Sequence, residues 1–177
     1  MRPILLLLCA GLCTEVLFAE SAAGLKWTPP AGWKSSGTTS MRAATYPVTP
    51  APGDHDPAEC AVYFFGQGQG GDIQSNIDRW EGQFQTTSGK PAPAKVAKLT
   101  IHGLTVTTID VSGEYSGMGG PLAAAPAKAA PGHRLLGAIV EGPGGNIFIK
   151  FTGPAKTMTA NQPKFQQLLD SFQKADK

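Results

Sequence analysis

The chain has 177 residues, of which 41% are hydrophobic and 16% charged, and its formal net charge at pH 7 is +2. This length and composition are typical of one folded domain and exclude a multidomain machine, a coiled coil and a wholly disordered chain. The small net charge includes no basic stripe, so nucleic-acid binding is not expected.

The first 23 residues have the pattern of a secretory signal peptide. Arg2 supplies a positive start, residues 4–12 are apolar, and the small residues Ser21 and Ala23 stand where a signal peptidase reads the chain if it cuts after Ala23. The apolar run is shorter than the roughly 20 residues that cross a bilayer, so no stable membrane insertion is expected. We therefore expect an exported protein, periplasmic or extracellular, with a single domain over residues 24–177.

A cut after Ala19 is the alternative, but it places Leu17 at a position that favours small residues. The later cut is therefore the prediction from sequence. Either cut removes Cys9 and Cys13 and leaves Cys60 alone, so no internal disulfide is expected. Cys60 lies in an apolar run, where a free cysteine behaves as a small hydrophobe, and we expect it to be buried and structural.

Strand signals dominate the chain. After an irregular stretch with one short strand at residues 25–40, residues 41–48 and 59–65 read as two strands that pair as a hairpin. The second of them is almost wholly apolar, which predicts a central strand. Further hairpins are predicted for residues 95–111, around a tight turn at His102-Gly103, and for residues 134–152.

Two helices are predicted. Ile73, Ile77, Trp80 and Phe84 form one apolar stripe over residues 72–85, with Asp72 as the N-cap. A closing helix is predicted to begin near Pro163, because proline favours the first turn of a helix. Its buried residues are expected to be Phe165, Leu168, Leu169 and Phe172. The segment at 116–132, rich in Gly, Pro and Ala, is predicted to be a flexible loop within the same domain.

This order of elements predicts an α+β fold, a mainly antiparallel sheet packed with two principal helices. The segment Pro30-Ala31-Gly32-Trp33, the single helix after the third strand and the closing helix together resemble the PsbP-like fold, which implies an α/β/α sandwich. The runs at 58–66 and 76–84 also resemble a family of uncharacterised exported bacterial proteins. That family implies no activity. Photosystem proteins with this fold act as assembly or stabilising subunits, but no motif here carries a photosynthetic function over.

The segment Gly66-Gln67-Gly68-Gln69-Gly70-Gly71 matches the G-x-G-x-x-G pattern of dinucleotide sites, between a strand and a helix. Such a site also needs an acidic residue about 20 residues further on and repeated strand-helix units, and both are missing. We therefore predict a turn in which glycines supply positive φ angles, rather than a dinucleotide site. Use of this loop by a small ligand or an enzyme is the alternative.

Asp54, His55, Asp56 and Glu59 are of residue types that bind divalent cations, and they are candidates for a weak metal site. They lie in a proline-flanked turn, where Asp and His are common for solvation and for capping of backbone amides. A metal-binding accessory role is therefore kept as an alternative only.

Asn76, Arg79 and Gln83 lie on the interior helix, away from its apolar stripe. The simpler interpretation is a solvated polar face, with Arg79 paired to a neighbouring carboxylate. The more specific interpretation is that these residues and the 66–71 loop together form a partner-binding surface.

No set of residues predicts catalysis. The chain has three histidines, all at predicted turns or strand edges, and it has no G-x-S-x-G segment. We therefore predict an exported, non-catalytic binding or assembly module without a cofactor, whose partner is an envelope protein or a small ligand. The alternatives are a ligand-binding protein or enzyme that uses the 66–71 loop, and the metal-binding role of the 54–59 turn.

Overall fold

The computed structural model describes residues 19–117 and 130–175. Two α-helices and ten β-strands follow one another within these residues. In chain order they are β1 Glu20–Ala22, β2 Leu25–Trp27, β3 Arg42–Val48, β4 Ala58–Tyr63, α1 Ile73–Glu81, β5 Phe84–Gln85, β6 Ala94–Ile101, β7 Leu104–Tyr115, β8 Ala130–Gly142, β9 Gly145–Pro154, α2 Ala155–Asp170 and β10 Gln173–Lys174.

A seven-stranded antiparallel sheet forms the centre of the described structure. Its order is β3-β4-β9-β8-β7, and the outer edge of β7 pairs with β6 along one part and with β5 along another. A smaller antiparallel sheet has the order β1-β2-β10. The three predicted hairpins are confirmed. In the tight turn between β6 and β7, His102 and Gly103 have φ angles of 48° and 73°, as a two-residue turn of this kind requires.

Each face of the large sheet has its own apolar core, because neighbouring residues of a strand point to opposite faces. On β9, Ile147, Ile149 and Phe151 belong to the core beneath α2, whereas Phe148 belongs to the core beneath α1. The sheet therefore lies between α1 on one side and α2 with the small sheet on the other, as the predicted α/β/α sandwich requires.

Helix α1 packs very close to the sheet. A β-carbon placed on Gly137 of β8 would lie 2.7 Å from two ring carbons of Trp80, so only glycine fits beneath this ring. Asp72 caps the helix as predicted, since its carboxylate accepts from the backbone N–H of Ser75 at 2.9 Å. The helix ends at Glu81, earlier than predicted, because Phe84 has already joined the sheet as part of β5.

Helix α2 begins at Ala155 rather than near Pro163, so the predicted start was wrong. Pro163 lies inside the helix, where proline removes one backbone hydrogen bond but does not end the helix here. The first turn is held instead by Asp54, whose carboxylate accepts from the backbone N–H of Thr157 at 2.9 Å and from its hydroxyl at 2.5 Å. A residue about a hundred positions away thus supplies the cap.

Other predictions lie only partly within the described residues. Most of the 116–132 loop, residues 118–129, lies outside them, and residues 130–132 belong to β8 rather than to a loop. Residues 20–22, assigned by the sequence to the signal peptide, form β1. Cys60 is fully buried, as predicted, and burial raises the pKa of its thiol. No helix in the described part of the chain is long and apolar enough to cross a membrane.

Candidate functional site

A cavity of about 240 Å³ lies on the α1 face of the sheet, beside the helix, and is called here the α1 pocket. Strands β4 and β9 form its floor, where Tyr63 pairs with Phe148 and Ala61 pairs with Lys150. The pocket is lined by Met41, Tyr63, Phe65, Arg79, Trp80, Phe148 and Lys150. Four aromatic rings and two cations therefore surround one small space.

The aromatic residues form a continuous wall. The rings of Tyr63 and Phe65 are stacked with centroids 5.8 Å apart, and Phe65 meets Phe148 edge-on at 5.5 Å. Trp80 is buried beneath α1, while Met41 is 56% exposed at the rim. A wall of this kind offers a flat apolar body both stacking and apolar contact.

Lys150 is the charged group at the base of the pocket. Its amine donates to Gln83 Oε1 at 2.8 Å and to the Tyr115 hydroxyl at 3.2 Å, and it lies 5.4 Å from the centre of the Tyr115 ring. These partners are neutral, and Lys150 forms no ion pair within residues 19–117 and 130–175. Burial, together with the nearby charges of Arg79 and Arg42, lowers the pKa of Lys150 to about 8.

Arg79 supplies the second cation of the pocket from the exposed side of α1. Its guanidinium donates to Asn76 Oδ1, and the Asn76 amide donates in turn to the carbonyl oxygens of Gly70 and Asp72, each at 2.8 Å. Arg79 also lacks an ion-pair partner in the described structure. Asn76 thus ties the glycine loop to α1 and orients Arg79.

A third cation nearby is already neutralised. Arg42 lies 5.3 Å from the centre of the Tyr63 ring, and its guanidinium contacts Glu59 Oε1 at 2.7 Å. The positive charge that remains uncompensated in the α1 pocket therefore belongs to Arg79 and Lys150.

The 66–71 glycine loop packs against the aromatic wall of the α1 pocket. Gly66, Gly68, Gly70 and Gly71 all have positive φ angles, as predicted. A β-carbon on Gly70 would lie 2.6 Å from a ring carbon of Phe148, so the glycine permits close approach to the pocket wall. In the first turn of α1, the Asp72 carboxylate accepts hydrogen bonds from the backbone N–H and the hydroxyl of Ser75. These hydrogen bonds lower the pKa of the Asp72 carboxyl group.

The residues predicted as a partner-binding surface do lie together, but not as a solvated face. Asn76 is 2% exposed and Gln83 is 6% exposed, and only Arg79 reaches the surface. The polar-face interpretation was wrong for the first two because the 66–71 loop folds over Asn76 and the side chain of Lys150 reaches Gln83 from β9. These residues therefore position the two cations of the α1 pocket.

The four candidate metal ligands have separate environments. Asp54 caps α2, Glu59 pairs with Arg42, and His55 is exposed. Asp56 lies 3.8 Å from the Nε2 atom of His133. No group of three or more His, Cys, Asp or Glu residues meets in a metal-binding arrangement within the part of the chain that the structure describes.

Sequence reasoning did not identify Met41, Tyr63, Tyr115 or Lys150 as site residues. For Lys150 a signal exists, because it interrupts the apolar run of a central strand at residues 147–151. A lysine in a strand covered on both faces must lie in a core or a cavity. No comparable signal marks Tyr115, which reaches the site from β7.

Comparison with known proteins gives a fold but no family. No protein-family model and no curated protein matches the chain. Among solved structures, the chain is similar to cyanobacterial PsbP (CyanoP) from Synechocystis sp. PCC 6803, with 12% identity, a TM-score of 0.51 and coverage of 95% of this chain and 98% of that one. It is also similar to PA94 of Pseudomonas aeruginosa, a protein of unknown function, with 11% identity, a TM-score of 0.48 and coverage of 88% and 94%. The sandwich of two helices around an antiparallel sheet, together with the likeness to CyanoP, shows that this chain has a PsbP-like α+β fold.

Proposed function

We propose that the protein is an exported binding module that holds a small organic anion in the α1 pocket. One observation carries the proposal. Lys150 is partly buried beside aromatic rings and has no acidic partner in the described structure, although a charge withdrawn from water without a partner is costly. A bound anion would supply that partner.

The pocket also indicates the shape of the ligand. Lys150 and Arg79 are both suited to a carboxylate, and an arginine can contact both of its oxygens. The stacked rings of Tyr63 and Phe65 favour a flat apolar body. At about 240 Å³ the cavity has the volume of roughly eight water molecules, which suits one ring that bears a carboxylate. We therefore infer an aromatic or similarly flat monocarboxylate.

Isothermal titration calorimetry with benzoate, phenylacetate and indole-3-acetate tests this proposal. Benzamide is the matched neutral probe, because it keeps the ring of benzoate and removes the charge. We expect at least one carboxylate to bind and benzamide to bind at least tenfold more weakly. Equal affinity for benzoate and benzamide, or no binding by any of the acids, would contradict the proposal.

Two variants assign the binding to the pocket. Lys150→Met keeps the length of the side chain and removes its charge, and Arg79→Gln removes the second cation. Each should weaken carboxylate binding at least tenfold. The matched control is Lys98→Met, because Lys98 is an exposed lysine on β6, far from the pocket lining. A similar loss of affinity in the control would show that the effect is one of net charge alone.

The pH dependence of binding is a further test. The anion binds the protonated amine, and the pKa of Lys150 in the free protein is about 8. Affinity should therefore be nearly constant between pH 6 and pH 7.5 and should fall as the pH rises above about 8. In Lys150→Met the remaining affinity should not show this fall.

A further inference from the structure

The N-terminal strand β1 is an integral part of the described fold, although the sequence places it in the signal peptide. Glu20 pairs with Trp27 and Ala22 pairs with Leu25, so β1 covers one edge of β2 while β10 covers the other. Ala23 and Gly24 form the turn between β1 and β2, with φ angles of 55° and 70°. The carbonyl oxygen of Ala23 also accepts from the backbone N–H of Gly144 at 2.9 Å, which ties this turn to the turn between β8 and β9.

The side chain of Glu20, which is partly exposed, completes a hydrogen-bond chain that begins in the core. Trp27 Nε1 donates to the Tyr46 hydroxyl at 2.9 Å, and that hydroxyl donates to Glu20 Oε2. Tyr46 has no exposed surface and Trp27 is 1% exposed. Without Glu20 the Tyr46 hydroxyl would lose this acceptor inside the core, and buried polar groups without partners destabilise the folded state.

We propose that the signal peptide is cleaved after Ala19, so that the mature protein begins at Glu20 and keeps β1. This proposal rests on the signal peptide predicted from the sequence and is independent of the α1 pocket. Ala19 has the small side chain that the position before the cut requires, and it lies outside β1. Leu17 is larger than the residues favoured two positions earlier, and we infer that retention of β1 outweighs this preference. A cut after Ala23 would instead remove β1, open one edge of β2 and leave Tyr46 without its acceptor.

Export of the full-length chain, followed by intact-mass measurement and N-terminal sequencing of the product, tests the proposal directly. The expected N-terminus is Glu20. A product that begins at Gly24 would overturn the choice of bond while keeping the signal peptide. An exported chain that is not cleaved would overturn both.

Two matched variants identify the bond that the peptidase reads. Ala19→Asn places a larger residue before the proposed cut and should block or shift processing. Ala23→Asn places the same residue before the alternative cut and should leave the product unchanged, since asparagine also tolerates the positive φ at this turn. The reverse pattern would overturn the proposal.

A stability measurement provides an independent readout on the exported protein. If Glu20 is retained, Glu20→Ala should lower the Tm by about 2 °C or more, because the buried Tyr46 hydroxyl loses the carboxylate to which it donates. Ser21→Ala, at the neighbouring exposed residue, should leave the Tm nearly unchanged. If the cut falls after Ala23, neither substitution is present in the mature protein, and the Tm of the Glu20 variant would equal that of the wild type.

Discussion

Replacing Lys150 with methionine should make the protein more stable while it weakens the proposed anion binding. A pKa lowered from the ordinary 10.5 to about 8 means that keeping the amine charged in the folded state costs about 3 kcal/mol at neutral pH. Methionine avoids this cost but leaves Gln83 and Tyr115 without the hydrogen bonds that the amine donates, each worth about 1 kcal/mol. We therefore expect a net gain of about 1–2 kcal/mol, or a Tm higher by about 2–8 °C.

The gain should depend on pH in a defined direction. Between about pH 8 and pH 10.5 the folded wild-type protein binds fewer protons at Lys150 than the unfolded chain does, so its stability rises with pH. The advantage of Lys150→Met should therefore be full at pH 6.5 and shrink by pH 10. Urea denaturation followed by tryptophan fluorescence measures both values, with Lys98→Met as the control for the loss of one surface charge. A variant that is less stable than the wild type at pH 6.5, or an advantage that does not change with pH, would refute the reasoning.

Three further substitutions and one thiol reagent test the packing on both faces of the sheet. Gly70→Ala should cost about 2–3 kcal/mol in urea denaturation, clearly more than Gly68→Ala, because both have positive φ but only the first would press a β-carbon into the pocket wall. Gly137→Ala should lower the free energy of unfolding by about 1–3 kcal/mol, since its β-carbon would meet the indole ring of Trp80. The near-ultraviolet circular dichroism signal of the tryptophans should weaken as that ring is displaced. Asp54→Ala should cost about 1–2 kcal/mol in thermal denaturation, because α2 loses the carboxylate that caps its first turn. Cys60 should react with a thiol reagent only as fast as the protein unfolds, and labelling at the rate of an exposed thiol would contradict its burial.

The parts of the fold that follow from local chemistry could be predicted from the sequence. His102-Gly103 is a two-residue sequence suited to positive φ angles, and it fixed the position of the β6–β7 hairpin. The spacing of Ile77 and Trp80 placed the buried side of α1 correctly. Such features depend on neighbours within a few residues, which a single sequence displays directly.

The parts that depend on distant residues could not be predicted. Pro163 looked like the start of α2, because the residue that caps the true start, Asp54, lies in a turn far away in the sequence. Gln83 looked solvated, because nothing in the sequence shows that Lys150 of β9 reaches it. The candidate site is assembled by contacts between residues that are distant in the sequence. The sequence therefore does not show that Arg79 and Lys150 lie in one pocket.

The position of Lys150 on β9 makes the floor of the α1 pocket rigid. β9 is hydrogen-bonded to β4 along one edge and to β8 along the other, and its alternate side chains fill the core beneath α2. If β9 slipped by one residue against β4 and β8, Lys150 would move to the core beneath α2 and an apolar core residue would face the pocket. The pairing of β9 is therefore restricted to one register. Any change of shape in the pocket is therefore expected at the rim, where Met41 and the exposed side of α1 lie, and backbone hydrogen exchange in β9 should stay slow.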